Sequence, residues 1–471
     1  MPIIIPGNRL ASTGHTISQS IRFNDDDSAY MSRTFSASNR KTFTVSLWAK
    51  RGNLSSNMNM FGPQTNNTGS GTYGAIRFNP QNTLDFFDYT NGTHNWYYSS
   101  STRVFRDPSA WYHIVASLDT TNATSSERIK VYINGQREVG WSGNSGYYPT
   151  LDYQGQWNNN LSHEIGAIQR GSTNQYFDGY LAEIVFIDGQ ALSCDSFGEF
   201  NSSGIWVPKD ISGLTFGTNG CHIDGRDASD LGDDESGNGN DFTASGLASN
   251  DQVTDSPTNN FCTLNPNDNR GTPGTLSEGN LKMAFSATND NVTGTFGMSS
   301  GKWYWEAHIV DNVYAYIGVQ DSSISATGYT ASAVALYDGG FIYENNSDTG
   351  DRSTTYTNGD VVGVAFDADN KKIWWSKNGQ WYSADDSSTT TINISEVEAG
   401  NQAQVITRSP DFFMPFYGNY THSTAIFNFG QEGTFAGNET AGGNSDGNGV
   451  GNFFSAVPSG FLALCTKNLG S

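Results

Sequence analysis

The feature that most constrains this chain is a repeated alternation of apolar and polar residues, with turn-forming residues between the alternating runs. In the run 43–50, FTVSLWAK, the side chains of Phe43, Val45 and Leu47 share one face at period two. The run 128–135, RIKVYING, alternates in the same way and ends in an Asn-Gly pair, which favours a tight hairpin turn. Because such runs follow one another without a convincing amphipathic helix between them, they predict antiparallel sheets packed as a sandwich.

The length and the charge of the chain narrow the possible functions. A chain of 471 residues predicts two or three folded units. The 25 basic residues are outnumbered by 47 acidic ones, which gives a net charge of −22. Such a balance excludes a nucleic-acid-binding surface as the leading hypothesis and disfavours anionic membranes. We expect no membrane insertion, because the longest apolar runs are much shorter than a bilayer span and residues 1–10 lack the basic region of a signal peptide.

Four cysteines stand far apart in the sequence, at positions 194, 221, 262 and 465. None belongs to a CxxC pair or has a histidine at ligand spacing. We interpret them as thiols of a protein that folds in a reducing cytosol, with Cys221 and Cys262 as the pair that would bridge if any did.

The fold class predicted from these patterns is all-β. We expect two antiparallel β-sandwich (jelly-roll) domains, at residues 21–206 and 281–471, joined by a long irregular acidic connector at 207–280. The connector has three basic and twelve acidic residues and is rich in Gly, Asn, Asp and Pro, so we expect it to lie along the domains without a core of its own. Residues 1–20 are predicted to be an extended segment that docks on a particle or on a sister subunit.

The first predicted sandwich resembles a known family. The runs IRFNDDDSAYMS, FTVSLWAK, WYHIVASLD, RIKVYINGQ and FDGYLAEIVFIDGQALS occur in an order similar to that of laminin-G-like, concanavalin-A-like jelly rolls. The resemblance covers most of residues 20–195 and implies a two-sheet sandwich of a kind that serves both lectins and glucanases.

The second predicted sandwich resembles the SPRY domain. Its most specific part is the stretch 359–379, with the pattern GD-VVGVAFD followed by IWWSKNG. The resemblance implies a bent two-sheet sandwich whose ligand surface is made by loops. In this domain we expect the four tryptophans of the strand-like runs to pack in the core: Trp303, Trp305, Trp374 and Trp375.

The layout of the chain also resembles structural proteins of tailed bacteriophages, particularly marine ones. The residues that carry this similarity are IWVPKDISGLTFGTNG at 205–220, DESGNGNDFTASG at 234–246, DSPTNNFCTLNPN at 255–267 and VPSGFLALCTKNL at 457–469. It implies a virion protein, assembled in the host cytoplasm, that contacts other virion proteins. We expect a tail fibre, spike or other appendage that recognises a host-surface glycan or receptor as a homo-oligomer, with a trimer as the working guess. A capsid decoration or head-fibre protein is the first alternative.

A polysaccharide depolymerase is the second alternative, because concanavalin-like sandwiches include glucanases. Retaining glycosidases place two carboxyl groups about 5 Å apart. The nearest candidate pairs are Glu183 with Asp188, expected on opposite faces of a strand, and Glu396 with Glu398. Neither pair reproduces the E-x-D-x-x-E strand of bacterial glucanases, so we predict that the protein is not an enzyme.

Two further hypotheses concern ligands. Asp25, Asp26 and Asp27 lie where laminin-G-like domains leave an early strand, so they are candidates for a bound Ca²⁺, the single cofactor considered. Sugar rings stack on aromatic side chains beside hydrogen-bonding polar groups. The predicted glycan contacts are therefore aromatic residues of polar segments in the first domain and, more weakly, the segments at Tyr337-Asp338 and 417–422. The first-domain candidates are Trp96, Tyr97, Trp141, Tyr147, Tyr148, Tyr153 and Trp157.

Overall fold

The computed structural model describes residues 14–65, 71–100, 103–139, 147–169, 174–322 and 330–469. These residues form two compact units, a first unit that ends at Thr258 and a second that begins at Asn259. Both are built almost wholly from antiparallel strands, which confirms the predicted all-β class. The helices among the described residues are all too short to span a membrane.

The first unit has two layers of sheet. Its strands are β1 Ser20–Phe23, β2 Tyr30–Thr34, β3 Thr42–Arg51, β4 Met58–Gln64, β5 Tyr73–Phe78, β6 Leu84–Thr90, β7 Thr93–Ser99, β8 Trp111–Asp119, β9 Ile129–Ile133, β10 Gln136–Arg137, β11 Ser162–Ile165, β12 Ala167–Ile168, β13 Gln175–Tyr176, β14 Gly179–Asp188, β15 Gly198–Phe200, β16 Trp206–Pro208, β17 Cys221–Ile223, β18 Thr243–Ser245 and β19 Gln252–Val253. Short 3₁₀ turns occupy Ser125–Glu127, Cys194–Ser196 and Ser249–Asp251. One sheet runs β10-β9-β8-β3-β14-β1-β19, with β17 paired to β14, and the other runs β18-β2-β11-β4-β5-β6-β7.

The core of the first unit follows from the alternation seen in the sequence. Phe43, Val45 and Leu47 of β3 point into the space between the sheets, as their period predicts. The hairpin from β9 to β10 turns at Asn134 and Gly135, whose φ angles of 49° and 78° suit the tight turn expected of an Asn-Gly pair.

The segment predicted as a connector is divided between the two units. Its first part supplies edge strands to the first unit, because β17 pairs with β14, β18 with β2 and β19 with β1. Apolar residues of this part, including Ile223 and Phe242, lie in the first unit's core. The acidic residues between them form turns: Asp227 accepts hydrogen bonds from Ser229, and Asp234 accepts the backbone N–H groups of residues 222, 236 and 240.

The second unit is one continuously hydrogen-bonded set of strands. They are β20 Leu264–Arg270, β21 Thr275–Ser277, β22 Lys282–Phe285, β23 Asn291–Gly294, β24 Lys302–Asp321, β25 Ala333–Tyr337, β26 Phe341–Glu344, β27 Ser347–Arg352, β28 Val361–Asp367, β29 Lys372–Lys377, β30 Gln380–Tyr382, β31 Thr391–Ile392, β32 Gln404–Val405, β33 Phe413–Asn428 and β34 Leu462–Ala463. A short helix, α1, spans Ile394–Ala399, and a 3₁₀ turn spans Thr466–Asn468. The long strands β24 and β33 pair along most of their length and carry the main core.

Tryptophans fill the interior of the second unit. Trp303, Trp305, Trp374 and Trp375 are each at most 5% exposed, as predicted for core residues. Trp375 also donates from Nε1 to the carbonyl of Ile317 at 2.9 Å, so its polar atom is satisfied inside the core. All four cysteine side chains of the chain are buried as well.

Candidate functional site

The second unit carries a group of tyrosines at its surface, which we call the tyrosine cluster: Tyr314, Tyr316, Tyr337, Tyr343 and Tyr420. The rings of Tyr314 and Tyr337 stack with centroids 5.9 Å apart, and the ring of Tyr316 also stacks on Tyr337, with centroids 5.1 Å apart. Tyr420 meets Tyr314 edge-on at 5.8 Å, and Tyr343 meets Tyr316 edge-on at 5.6 Å. Tyr314 and Tyr420 remain 43% and 47% exposed, so the cluster presents aromatic surface to solvent.

A β-bulge places the exposed rings of the cluster. In the pairing of β24 with β33, Val313 lies opposite His422 and Ala315 opposite Asn419, so Tyr314 alone faces two residues of the other strand. Tyr314 has a φ angle of +62°, a left-handed conformation that a bulky residue rarely adopts. The backbone here departs from regular strand geometry at the residue that carries an exposed ring.

Polar groups border the cluster. The backbone N–H of Tyr314 donates to Oδ2 of Asp338 at 3.2 Å. Burial raises the pKa of Asp338 above its usual value, and hydrogen bonds from its neighbours oppose that shift. Burial, followed by the charge of Asp338, raises the pKa of the Tyr337 hydroxyl, which therefore stays protonated at neutral pH. His422 and Asp311 lie 3.6 Å apart at the edge and are both well exposed.

The side chains of this cluster are of the types that carbohydrate-binding sites use. Flat phenol rings with open faces suit the apolar C–H side of a sugar ring, and phenol hydroxyls and carboxylates suit its hydroxyl groups. Two of the predicted candidates, Tyr337 and Asp338, belong to this surface, and Tyr420 lies in the weakly predicted segment 417–422. Sequence reasoning missed Tyr314, Tyr316 and Tyr343. No local pattern marks Tyr314, because the bulge between β24 and β33 interrupts the regular alternation at this residue.

Two of the predicted glycan contacts in the first unit are core residues, which corrects their placement at the surface. Trp96 and Trp157 are both fully buried. The ring of Trp157 stacks on Phe43 at 5.3 Å, and its Nε1 donates to the carbonyl of Phe87 at 2.9 Å. Apolar burial holds these rings between the sheets, so their faces are not available to a sugar.

The remaining first-unit candidates are only partly available. Tyr147 is 52% exposed, and its carbonyl accepts the backbone N–H of the half-buried Tyr97. The Tyr97 hydroxyl donates to Asp85 at 2.8 Å, and the Tyr153 hydroxyl donates to Asp88 at 2.9 Å. These two hydroxyls are therefore already engaged within the unit.

Three further predictions remain, for Tyr148, for Trp141 and for the docking segment at residues 1–20. Tyr148 is half-buried, and Trp141 lies outside the described residues, as does the segment 1–13 of the predicted docking region.

The aspartates predicted as calcium ligands form a turn after β1. Asp25 accepts a hydrogen bond from Asn53 at 2.9 Å, and Asp27 accepts one from Asn24 at 2.8 Å. Burial, followed by the charge of Asp26, raises the pKa of Asp25. Calcium binding by these three residues stays a prediction.

The carboxylates weighed for hydrolysis have separate surroundings. Asp188 is buried and accepts hydrogen bonds from the side chain of Asn158 and the backbone of Asn219. Glu183 lies in a different place, beside His15 and His222. Since the two carboxylates are five residues apart on one strand, roughly 15 Å, they do not form a pair of the kind that retaining glycosidases use.

Glu396 and Glu398 both lie in helix α1. Glu396 accepts from the side chain of Asn401, and Glu398 accepts from the backbone of Ser459.

Comparison with known proteins assigns domains to both units. The family model described as the concanavalin A-like lectin/glucanases superfamily matches residues 23–195, and the SPRY domain model matches residues 302–393. No curated protein matches the chain.

Three solved structures illustrate what the chain is similar to. The SPRY domain of human HERC1 is 14% identical, with a TM-score of 0.28, and the match covers 35% of this chain and 96% of that one. A heptameric SAP-like pentraxin from Limulus polyphemus is 17% identical, with a TM-score of 0.27, covering 38% and 80%. The TRIM65 PSpry domain is 12% identical, with a TM-score of 0.25, covering 36% and 91%. The two family matches cover separate parts of the chain, the first within the first unit and the second within the second unit.

Proposed function

We propose that this protein is a virion structural protein of a tailed bacteriophage, a tail fibre, spike or other appendage, and that the tyrosine cluster binds a glycan on the host surface. The two sandwich domains fit a binding module. The resemblance of the chain's layout to phage structural proteins supports the virion part of the proposal.

The observation that carries the glycan part is the exposure of Tyr314 and Tyr420 at a β-bulge. A surface residue gains nothing for folding from an unusual backbone angle, and a non-glycine residue with φ near +60° costs about 1 kcal/mol or more. Strained residues of this kind concentrate at functional sites. At this bulge the strain orients an aromatic ring toward solvent, beside a second exposed ring and a carboxylate.

Weak stacking sites become effective when they are repeated. One aromatic contact contributes about 0.5–1.5 kcal/mol beyond its buried area. Copies of the chain in one appendage would engage a repetitive polysaccharide at several points, and the linked contacts would raise the total affinity by two or more orders of magnitude. The net negative charge would keep the surface from capturing polyanions nonspecifically.

Binding to host cells and to their isolated surface polysaccharide tests the glycan part. The Tyr314→Ala/Tyr420→Ala double variant should lose about tenfold in affinity per site, because both exposed ring faces are gone. Val405→Ala is the matched control, since Val405 is an exposed apolar residue of the same unit, 52% accessible, outside the cluster. Equal binding by the double variant and the control would contradict the assignment of the cluster.

Labelling of assembled particles tests the virion part separately. Antibodies against the chain should decorate the tail or its appendages in electron micrographs. Labelling confined to the head would favour capsid decoration, and an absence of labelling would contradict a virion role.

A further inference from the structure

The first unit contains a cavity of about 560 Å³ that is independent of the tyrosine cluster. Its wall includes the segment 15–19, the middle of β14, the loop 210–216 and the strand end at 222–226. Apolar side chains such as Ile211 line part of it, but the opposite part holds two histidines and several carboxylates. The pocket therefore combines apolar side chains with ionisable ones inside a single unit.

Three donor atoms converge in this cavity, one each from Glu183, His222 and Asp224. They all lie within 4.8 Å of one another, and among the described residues this is the one group of three or more His, Cys, Asp or Glu side chains with that property. Oε2 of Glu183 is 2.9 Å from Nε2 of His222. His15 approaches from the other side, with its Nε2 3.8 Å from Oε1 of Glu183.

The fold explains why these side chains meet. His222 of β17 and Asp224, the residue directly after that strand, are two residues apart and share a face, while Cys221 and Ile223 point into the core. Strand β17 pairs with β14 immediately after a bulge, where Glu183 and Ile184 together lie opposite Leu47. Glu183 has a φ angle of +48° at this bulge, which directs its carboxylate to the face that carries His222.

The surroundings hold the ligand groups in place. The His222 ring lies parallel to the ring of Phe216, with centroids 6.4 Å apart, and its backbone N–H donates to Asp234 at 2.8 Å. The side chains of Glu183, His222 and Asp224 are only 8–12% exposed. Such partial burial excludes most water and leaves access through the cavity.

From this geometry we infer a binding site for a divalent transition metal, with Zn²⁺ as the fitting ion, whose ligands are Glu183, His222 and Asp224 with His15 as the fourth. Imidazole nitrogen and carboxylate oxygen are donors that Zn²⁺ accepts in tetrahedral sites. Bonds of about 2.0–2.2 Å to a central ion separate neighbouring donor atoms by about 3.3 Å. The observed 2.9 Å between Glu183 and His222 is close to that separation, and His15, whose Nε2 is 3.8 Å from Oε1 of Glu183, has to move closer to the other ligands to complete the set.

Arg226 is the competitor for one ligand. Its guanidinium bonds Oδ2 of Asp224 at 2.6 and 2.8 Å, and its Nη1 lies 3.1 Å from Glu235. The other oxygen, Oδ1, accepts the backbone N–H of Arg226 at 2.9 Å, so metal binding to Asp224 competes with Arg226 for this carboxylate. The Arg226 side chain is 55% exposed and can be displaced. An ion pair between histidine and glutamate without any metal is the alternative explanation of the cluster.

Titration of the untagged, metal-free full chain with Zn²⁺ tests the site, with calorimetry for stoichiometry and Co²⁺ absorption for coordination geometry. We expect one ion per chain and a tetrahedral Co²⁺ spectrum. The Glu183→Gln/His222→Ala variant should lose both. His94→Ala is the control, because His94 belongs to the same unit and packs against aromatic rings. Failure of the wild-type chain to bind, or equal binding by the double variant, would overturn the assignment and leave an ion pair only.

A second variant keeps the test decisive if the double variant unfolds. Arg226→Ala removes an exposed competitor and leaves the four proposed ligands in place. It should bind Zn²⁺ several-fold more tightly, since the carboxylate of Asp224 is released. Unchanged or weaker binding by Arg226→Ala would remove Asp224 from the ligand set.

Discussion

The two units use the same irregularity for opposite chemistry. In the first unit a bulge of β14 gives Glu183 a φ angle of +48°, and in the second a bulge between β24 and β33 gives Tyr314 a φ angle of +62°. Glu183 enters a half-closed pocket with two histidines, whereas Tyr314 enters solvent beside other tyrosines. A bulge can thus direct one side chain out of the regular alternation of a sheet. The neighbouring strands determine whether that side chain lies among charged groups or in solvent.

The electrostatics of the two sites differ accordingly. Although burial raises the pKa of Glu183, hydrogen bonds with His15 and His222 outweigh it and hold the pKa at about 2. Asp338, beside Tyr314, has a raised pKa because burial dominates. In the first site the carboxylate of Glu183 is therefore kept ionised by its hydrogen-bond partners. In the second site Asp338, a weaker acid, lies beside the aromatic surface.

The largest expected difference between the bulges is in stability. Glu183→Ala removes the β14 carboxylate that hydrogen-bonds the largely buried His222 ring, so it should lower the free energy of unfolding of the first unit by about 2 kcal/mol. Tyr314→Ala removes an exposed ring and should cost less than about 1 kcal/mol in the second unit. Urea unfolding of each variant measures both. Similar losses of unfolding free energy at positions 183 and 314 would contradict the distinction between a buried ionic site and a surface site.

Buried glutamates provide a second comparison, through pH. Burial raises the pKa of Glu164 to about 7, against hydrogen bonds from the Gln169 backbone and the Gln64 side chain. A carboxyl group whose pKa is higher folded than unfolded favours the native state below its unfolded pKa, and this advantage is lost as the pH rises toward 7. Glu164→Gln should therefore stabilise the first unit by about 2–3 kcal/mol at pH 8 and change little at pH 4. Equal effects at the two pH values would contradict the raised pKa.

Burial also raises the pKa of Glu306 in the second unit, but an amide should have the opposite effect there. One donor to Glu164 is the Gln64 side-chain amide, which can turn its oxygen toward a new NH₂ group, whereas two of the donors to Glu306 are fixed backbone groups. Glu306 accepts the backbone N–H groups of Phe454 and Ser455 at 2.9 and 2.7 Å, and the Tyr304 hydroxyl at 2.9 Å. Because the two backbone donors face different oxygens, an amide at position 306 would point its NH₂ group at one of them. Glu306→Gln should cost about 2 kcal/mol at pH 7, measured by urea unfolding. If Glu306→Gln increased the free energy of unfolding, the two buried glutamates would respond alike to an amide and the comparison would fail.

The smallest expected effect isolates the backbone angle that the bulges share. Glycine adopts a positive φ without strain, so Tyr314→Gly should be more stable than Tyr314→Ala by about 1 kcal/mol. Likewise, the free energy of unfolding of Glu183→Gly should be higher than that of Glu183→Ala by about 1 kcal/mol. A glycine variant less stable than its alanine counterpart at either position would mean that the positive φ is not a source of strain there.

Local patterns made much of the fold predictable. Period-two alternation identified β3, β8 and β9, and the Asn-Gly pairs marked turns, because both signals depend on residues adjacent in sequence. The concanavalin-like and SPRY resemblances placed the two sandwiches. Helix α1 escaped prediction because six residues offer too little periodicity to separate a helix from a turn.

The sites were less predictable because they depend on pairing between distant strands. Glu183 and His222 are 39 residues apart and meet only because β17 adds to β14 after a bulge. The polar segment around Trp157 predicts a surface position, but its composition does not show that the ring turns into the core beside Phe43. In the second unit Tyr337 was found, while Tyr314 depended on a bulge that no local pattern marks.

Protection from hydroxyl-radical oxidation tests the central claim most directly, because it reports which aromatic side chains a bound glycan covers. The full chain is labelled with and without the host's surface polysaccharide and analysed by mass spectrometry. The account predicts protection of Tyr314 and Tyr420, with Tyr147 and Phe200, which are 52% exposed in the first unit, unchanged. Unaltered oxidation of Tyr314 and Tyr420 in the presence of a polysaccharide that binds the chain would contradict it.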